Sequence, residues 1–157
     1  MNAERTIAFI DLAGFTALTE VHGDEAAVDL VDAFVALVRD AIGPDGALVK
    51  TIGDAVMLAF RDPAAALLAV RRVFEACYAT DGFPEPRAGL HHGPVIEREG
   101  DWFGATVNLA ARVASRAGSG QTFGTATIAA SAESLGIDAV DIGEHAMRNV
   151  LDPVALW

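Results

Sequence analysis

Residues 47–60 read ALVKTIGDAVMLAF: two apolar, strand-like runs, 47–51 and 55–60, about a tight Ile52-Gly53-Asp54 turn. Runs of that length joined by so short a glycine-bearing turn predict a β-hairpin. Working outward, residues 5–11 (RTIAFID) form an apolar run with β-branched members and Phe9, and predict a buried strand ending in Asp11. Between strand and hairpin, residues 13–19 predict a short helix. A longer helix follows, with Asp24 as N-cap, Val31, Phe34, Val35, Val38 and Ile42 at helical spacing, and Gly43-Pro44 as its stop. After the hairpin, Asp62-Pro63 reads as an N-cap followed by proline at the first helical position. The helix it opens carries Leu67, Val70, Phe74 and Cys77 at core spacing. Residues 87–97 predict a strand, 104–117 a helix, 122–127 a strand, 129–135 a helix, and 140–157 two short closing strands. That order predicts a single α/β (α+β) domain built around one sheet.

Composition narrows the function. The chain has 157 residues, 52% of them hydrophobic and 21% charged, which is ample apolar surface to offset the chain entropy of folding. Eleven basic against twenty-two acidic side chains give a net charge of −11. A net anion lacks the cations that neutralise backbone phosphates, so nucleic acid is not an expected partner. An anionic ligand would need local donors or metal ions to reverse the field. No apolar run approaches the ~18 residues of a membrane span. Glu4 and Asp11 argue against a signal peptide, and the single cysteine, Cys77, suits a reducing compartment, so the expectation is a cytoplasmic protein. Ten of the eleven cations are arginine; Lys50 is the one lysine. Lys50 is either the last lysine left by chance in such a background or the mark of a site that wants a compact ammonium and not a planar fork, and composition does not separate the two.

Asp11 ends a strand and Asp54 sits in the hairpin turn. If those strands are neighbours, the two carboxylates meet at one edge, as a pair of hard divalent cations ~3.5–4 Å apart requires. Ala13-Gly14-Phe15-Thr16 opens a helix directly after Asp11, where backbone N–H groups can hold phosphate oxygens. Asn108 and Arg112, four apart on a predicted helix, share a face on which an amide and a guanidinium can orient a sugar and clamp a phosphate. Asp101 precedes Trp102 and Phe103 and suits either a loop cap or an acceptor for a base amino group. Each of these also has an ordinary structural reading, as turn residue, strand end or exposed polar stripe. His91 and His92 are adjacent on a strand, point to opposite faces, and are read as structural; Cys77 is read as core packing.

Four stretches converge on a family. FIDLAGFT (9–16), VKTIGDAVM (49–57), GLHHGPV (89–95) and DWFGATVNLAAR (101–112) resemble the catalytic domain of class III adenylate/guanylate cyclases, adenylate-type and in a bacterial stand-alone form. The closing HAMRNVLDPVALW (145–157) resembles that family's final strand pair. The resemblance implies a ferredoxin-like sandwich related to polymerase palms, with a mixed, mainly antiparallel sheet flanked by helices, acting as a head-to-tail homodimer. It implies ATP as substrate and two Mg²⁺ or Mn²⁺ ions per site. Asp11 and Asp54 fall on the family's metal-binding aspartates and the carbonyl of Leu12 on a further ligand. Gly14, Phe15 and Thr16 fall on the substrate-binding turn. Asn108 matches the ribose-orienting asparagine, and Arg112 the arginine at the α-phosphate. Lys50 and Asp101 match the pair that reads the purine. An ammonium donates to adenine N1 and a carboxylate accepts from the N6 amino group, whereas guanine reverses both needs.

Two departures accompany the resemblance. The family's phosphate-gripping lysine, in an LKG turn, is replaced by Arg148, which keeps the charge with a different geometry. The stretch 93–101 is shorter than the partner-gripping arm of the animal enzymes, which implies a weaker dimer. The alternatives are a weak or silent nucleotide-binding module of the same fold, or a guanylate cyclase.

Overall fold

The computed structural model describes residues 2–145 and 154–157. In chain order the elements are β1 (Asn2–Leu12), α1 (Phe15–His22), α2 (Asp24–Ala41), β2 (Gly46–Ile52), β3 (Ala55–Phe60), α3 (Pro63–Ala79), β4 (Pro86–Arg98), β5 (Asp101–Phe103), α4 (Ala105–Arg116), β6 (Thr122–Gly124), α5 (Ala126–Ser134), β7 (Glu144–His145) and β8 (Val154–Ala155). The main sheet runs β2-β3-β1-β4-β5, with β6 beside β4. All its pairs are antiparallel except β4 with β6. Read from β4, the order 4-1-3-2 is that of the split βαβ, ferredoxin-like arrangement, so the expected mixed, mainly antiparallel sheet flanked by helices is what the chain forms.

Alternation along the central strands sorts the core. Ala8, Ile10 and Leu12 of β1, with Val56, Leu58 and Phe60 of β3, pack against α2, α3 and α5. Ile7 and Phe9, with Met57 and Ala59, face the other way, onto Ala110 and Ala114 of α4. Covered on both faces, these strands read as continuous apolar runs, which is why the sequence marked them so clearly. Asp62 caps α3 by accepting from the Ala64 amide at 3.1 Å, and Pro63 opens the helix, as expected.

The seat of α4 depends on a missing side chain. A Cβ on Gly89 would lie 2.1 Å from the Ala114 nitrogen and 2.4 Å from its Cα, so the α4 backbone rests directly on β4. Four residues further along β4, a Cβ on Gly93 would meet the Thr106 hydroxyl, about two turns back along α4, at 2.6 Å. The GLHHG stretch is therefore, in part, the track along which α4 lies.

Several boundaries differ from expectation. Gly23 is the N-cap of α2, and Asp24 is the first helical residue, where its charge favours the positive helix end. Helix α1 starts at Phe15 and not at residue 13. Strand β6 stops at Gly124, where Ile128 packs so closely that a Cβ would be 2.6 Å from its Cγ2; the chain turns into α5 three residues earlier than predicted. The short β5 replaces a predicted loop. Among the described residues β7 and β8 pair with each other, and Trp157 just beyond β8 exchanges backbone hydrogen bonds with Gly124 of β6. Among the described residues no helix is long and apolar enough to cross a membrane.

Candidate active site

Strand register brings the first cluster together. Asp11 near the end of β1 lies directly opposite Arg87 at the start of β4. Side chains so paired share a face and approach within ~4.5–5.5 Å at Cβ. Here they form a forked ion pair: Arg87 Nε donates to Asp11 Oδ1 at 2.6 Å and Nη2 to Oδ2 at 3.1 Å. Arg87 Nη1 also donates to the Ala117 carbonyl, just past α4, at 3.3 Å. The carboxylate of Asp11 holds the guanidinium all the more firmly charged.

Asp54 reaches the same place from the two-residue connection between β2 and β3. Its carboxyl is pushed above the usual range, chiefly by burial and further by the neighbouring Asp11 charge; backbone hydrogen bonding at Asp54 and Leu12, and the charge of Arg87, act against the shift. Asp11, Leu12, Ala13, Gly14, Phe15, Asp54, Arg87 and Ser119 together line a hollow of about 280 Å³. Gly14, with φ of 74°, lets the chain leave β1 and enter α1 without the penalty a side chain would carry. The turn is tied down by the Ala13 amide donating to the Glu85 carbonyl at 2.8 Å, while Ser119 Oγ donates to Glu85 Oε2 at 2.7 Å. Thr16 follows in the first turn of α1.

The second cluster lies elsewhere. In the β2–β3 ladder the register passes from Leu48↔Leu58 to Lys50↔Met57, a bulge that re-aims the side chains beyond it. Lys50 Nζ meets Asp101 Oδ2 of β5 at 2.7 Å, and Asp101 Oδ1 accepts from the Trp102 amide, also at 2.7 Å. The hydrogen bond from Lys50 holds the Asp101 carboxyl below its ordinary range. Lys50 Nζ also stands 5.9 Å from the centre of the half-exposed Phe103 ring. Both ends of the pair remain accessible, with side-chain exposures of 41% for Lys50 and 25% for Asp101.

Asn108 and Arg112 form the third group. Helix α4 buries Thr106, Ala110, Val113 and Ala114, which leaves Asn108 exposed and Arg112 partly so, one turn apart. Neither lines the hollow at Asp11. On one copy of the chain Lys50, Asp101, Asn108 and Arg112 thus all stand outside the hollow that Asp11 and Asp54 line, and Arg148 lies outside the described residues.

Sequence reading missed Arg87 and Ser119. Arg87 looked like the first residue of a strand; only the β1–β4 register, a long-range property, sets it against Asp11. The two histidines bind locally: His91 Nδ1 to Thr125 Oγ1 at 2.5 Å and His92 Nδ1 to Thr6 Oγ1 at 2.8 Å. Cys77 is buried, and burial pushes its thiol up to about 11.

Asp11, Asp54 and the Leu12 carbonyl offer the hard oxygen donors that suit Mg²⁺ or Mn²⁺. Among the described residues no group of three or more His, Cys, Asp or Glu side chains could hold a metal by itself. A pair of carboxylates in that hollow fits ions whose remaining ligands come from substrate phosphate and water. The guanidinium already held at Asp11 marks the position as one where a cation is favoured.

Known proteins share the sequence pattern and the fold. Residues 2–153 match the family model described as the adenylate and guanylate cyclase catalytic domain. A pH-sensitive adenylate cyclase of Mycobacterium tuberculosis is 45% identical over 108 residues, 69% of this chain and 27% of that protein. An adenylate cyclase of Streptomyces griseus is 41% identical over 110 residues, 69% of this chain and 28% of that protein. The matches thus span between 27% and 28% of the length of these two curated relatives. The crystal structure of the adenylyl cyclase CyaB from P. aeruginosa superposes with a TM-score of 0.84 at 23% identity, covering 99% of this chain and 93% of that one, a likeness of fold.

Proposed function

The chain belongs to the adenylate and guanylate cyclase catalytic domain family, and from that premise we propose that it converts ATP to 3′,5′-cyclic AMP and pyrophosphate at sites shared by two copies of itself. One copy supplies Asp11, the Leu12 carbonyl, Asp54 and the turn Gly14-Phe15-Thr16. Its partner supplies the purine-reading pair Lys50 and Asp101, then Asn108, Arg112 and Arg148. What supports a shared site is the separation of these groups: Asn108 and Arg112 lie outside the hollow that holds the two aspartates.

The observation that carries the choice of base is the 2.7 Å contact between Lys50 and Asp101. It sets a donor beside an acceptor, the complement of adenine N1 beside the N6 amino group. The pair is partly exposed, so a base can engage both groups without first breaking into the core.

Asp11, Asp54 and the Leu12 carbonyl would hold two Mg²⁺ or Mn²⁺ ions, which supply Lewis-acid activation of the 3′-hydroxyl and neutralise triphosphate charge. The remaining work falls to the protein. Lys50 and Asp101 fix the purine, and Asn108 fixes the ribose so that its 3′-oxygen lies in line with the α-phosphorus. Amides at the start of α1 and the Arg148 guanidinium hold phosphate oxygens. The 3′-hydroxyl proton leaves to water, to a carboxylate of the site or to a phosphate oxygen, a bond forms from the 3′-oxygen to the α-phosphorus as the bond to pyrophosphate breaks, and Arg112 steadies the charge on the α-phosphoryl oxygens. These local cations are what let a chain of net charge −11 take an anionic substrate.

The reading is tested by incubating purified protein with ATP or GTP and Mg²⁺ or Mn²⁺ over a range of protein concentrations. Cyclic AMP, formed at a rate rising more than linearly with protein, is expected. ATP binding without product at any concentration would place the chain among silent relatives.

A further inference from the structure

We infer that in the metal-free chain the Arg87 guanidinium occupies the cation position of Asp11, so that a divalent ion enters by displacing it and Arg87 sets how much ion the site needs. The inference rests on Asp11 being a metal ligand, as proposed above.

The geometry is that of a competitor. Arg87 engages both oxygens of the Asp11 carboxylate at once, at 2.6 and 3.1 Å. A bound Mg²⁺ would need one of those oxygens at about 2.0–2.1 Å. An ion that close would share its oxygen with a nitrogen of like charge, so the two occupancies oppose each other. The contact is not a loose surface pairing: β1 and β4 place the two residues in register, and the side chains are only 34% exposed for Arg87 and 21% for Asp11. Arg87 also has somewhere to go. Its Nη1 already reaches the Ala117 carbonyl at 3.3 Å, so the guanidinium can swing off Asp11 while keeping that bond. Arg87 thus acts through Asp11 as a positioning residue, holding the carboxylate ready when no ion is bound.

The test is Mn²⁺ binding to the nucleotide-free chain, read by electron paramagnetic resonance of free Mn²⁺ or by calorimetry. Arg87→Gln is expected to bind Mn²⁺ about tenfold more tightly than the parent, the effect of removing a charged hydrogen-bonding competitor. Arg87→Lys, whose ammonium cannot span both oxygens, is expected in between, and it carries the comparison if the Gln variant does not fold by circular dichroism. Asp11→Asn should bind more weakly than the parent. Arg87 variants that bind no tighter than the parent, or show no binding at all, would overturn the inference. Unchanged binding in Asp11→Asn would instead remove the metal reading of Asp11 on which it stands.

Discussion

Lys50 and Asp101 belong to strands at opposite ends of the sheet order, yet their charged atoms are 2.7 Å apart. The bulge between Leu48 and Lys50 and the turn from β4 into β5 bring the two ends together. A donor–acceptor pair assembled from such distant parts of the fold is unlike an ordinary surface ion pair, whose contribution to stability is ~0–1 kcal/mol. On the proposed function, its value lies in what it presents to the purine.

Exchanging that pair should exchange the base. With Lys50→Glu and Asp101→Ser combined, kcat/KM for ATP is expected to fall about tenfold to a hundredfold, as for one or two mismatched polar contacts, while GTP use rises. Steady-state rates with both nucleotides decide it; an unchanged preference for ATP would contradict the assignment.

Asp54 gives a prediction for stability as well as activity. Its carboxyl is raised in the folded chain above an ordinary 3.8, so folding favours the protonated form. Its contribution is therefore fully present below about pH 3.8 and is lost as the pH rises through the folded-state value. Asp54→Asn should match the parent in Tm at low pH and exceed it increasingly toward neutrality, in metal-free buffer. The same variant should form no cyclic nucleotide.

Gly89→Ala tests how α4 is held. A Cβ there would stand 2.1 Å from backbone that cannot rotate away. Overpacking of this kind costs about 1–3 kcal/mol, to be read from urea unfolding. Because α4 carries Asn108 and Arg112, kcat should fall further than the loss of folded protein explains.

Cys77 should be inert in the native state. It is 1% exposed, and its thiol is pushed up to about 11, so little thiolate exists at neutral pH. As the chain has one cysteine, labelling by a thiol reagent reports on it alone. Slow labelling that accelerates sharply in denaturant is expected.

Much of this was legible in the sequence because it is local. The hairpin at 47–60 announces itself by its turn and two apolar runs, and Asp62-Pro63 by the chemistry of capping. The spacing of Asn108 and Arg112 is a property of one helix. What escaped was long-range. Arg87 meets Asp11 only through antiparallel register, β5 is three residues long and exists because β4 extends far enough to pair with it, and Ser119 joins the hollow through a turn pinned to Glu85. The early start of α5 depends on Ile128 fitting against Gly124, a packing fact that β-branched residues 127 and 128 conceal.

The central claim, that two copies complete one site, is tested most directly by mixing two defective proteins. Asp54→Ala removes a residue from one half of each site and Arg112→Ala a residue from the other half. Each alone should be inactive. In a mixed population about half the dimers pair one of each and hold one intact site of two, so roughly a quarter of parental cyclic AMP formation should return. Two folded variants that stay inactive together, at concentrations where the parent is active, would contradict the shared site.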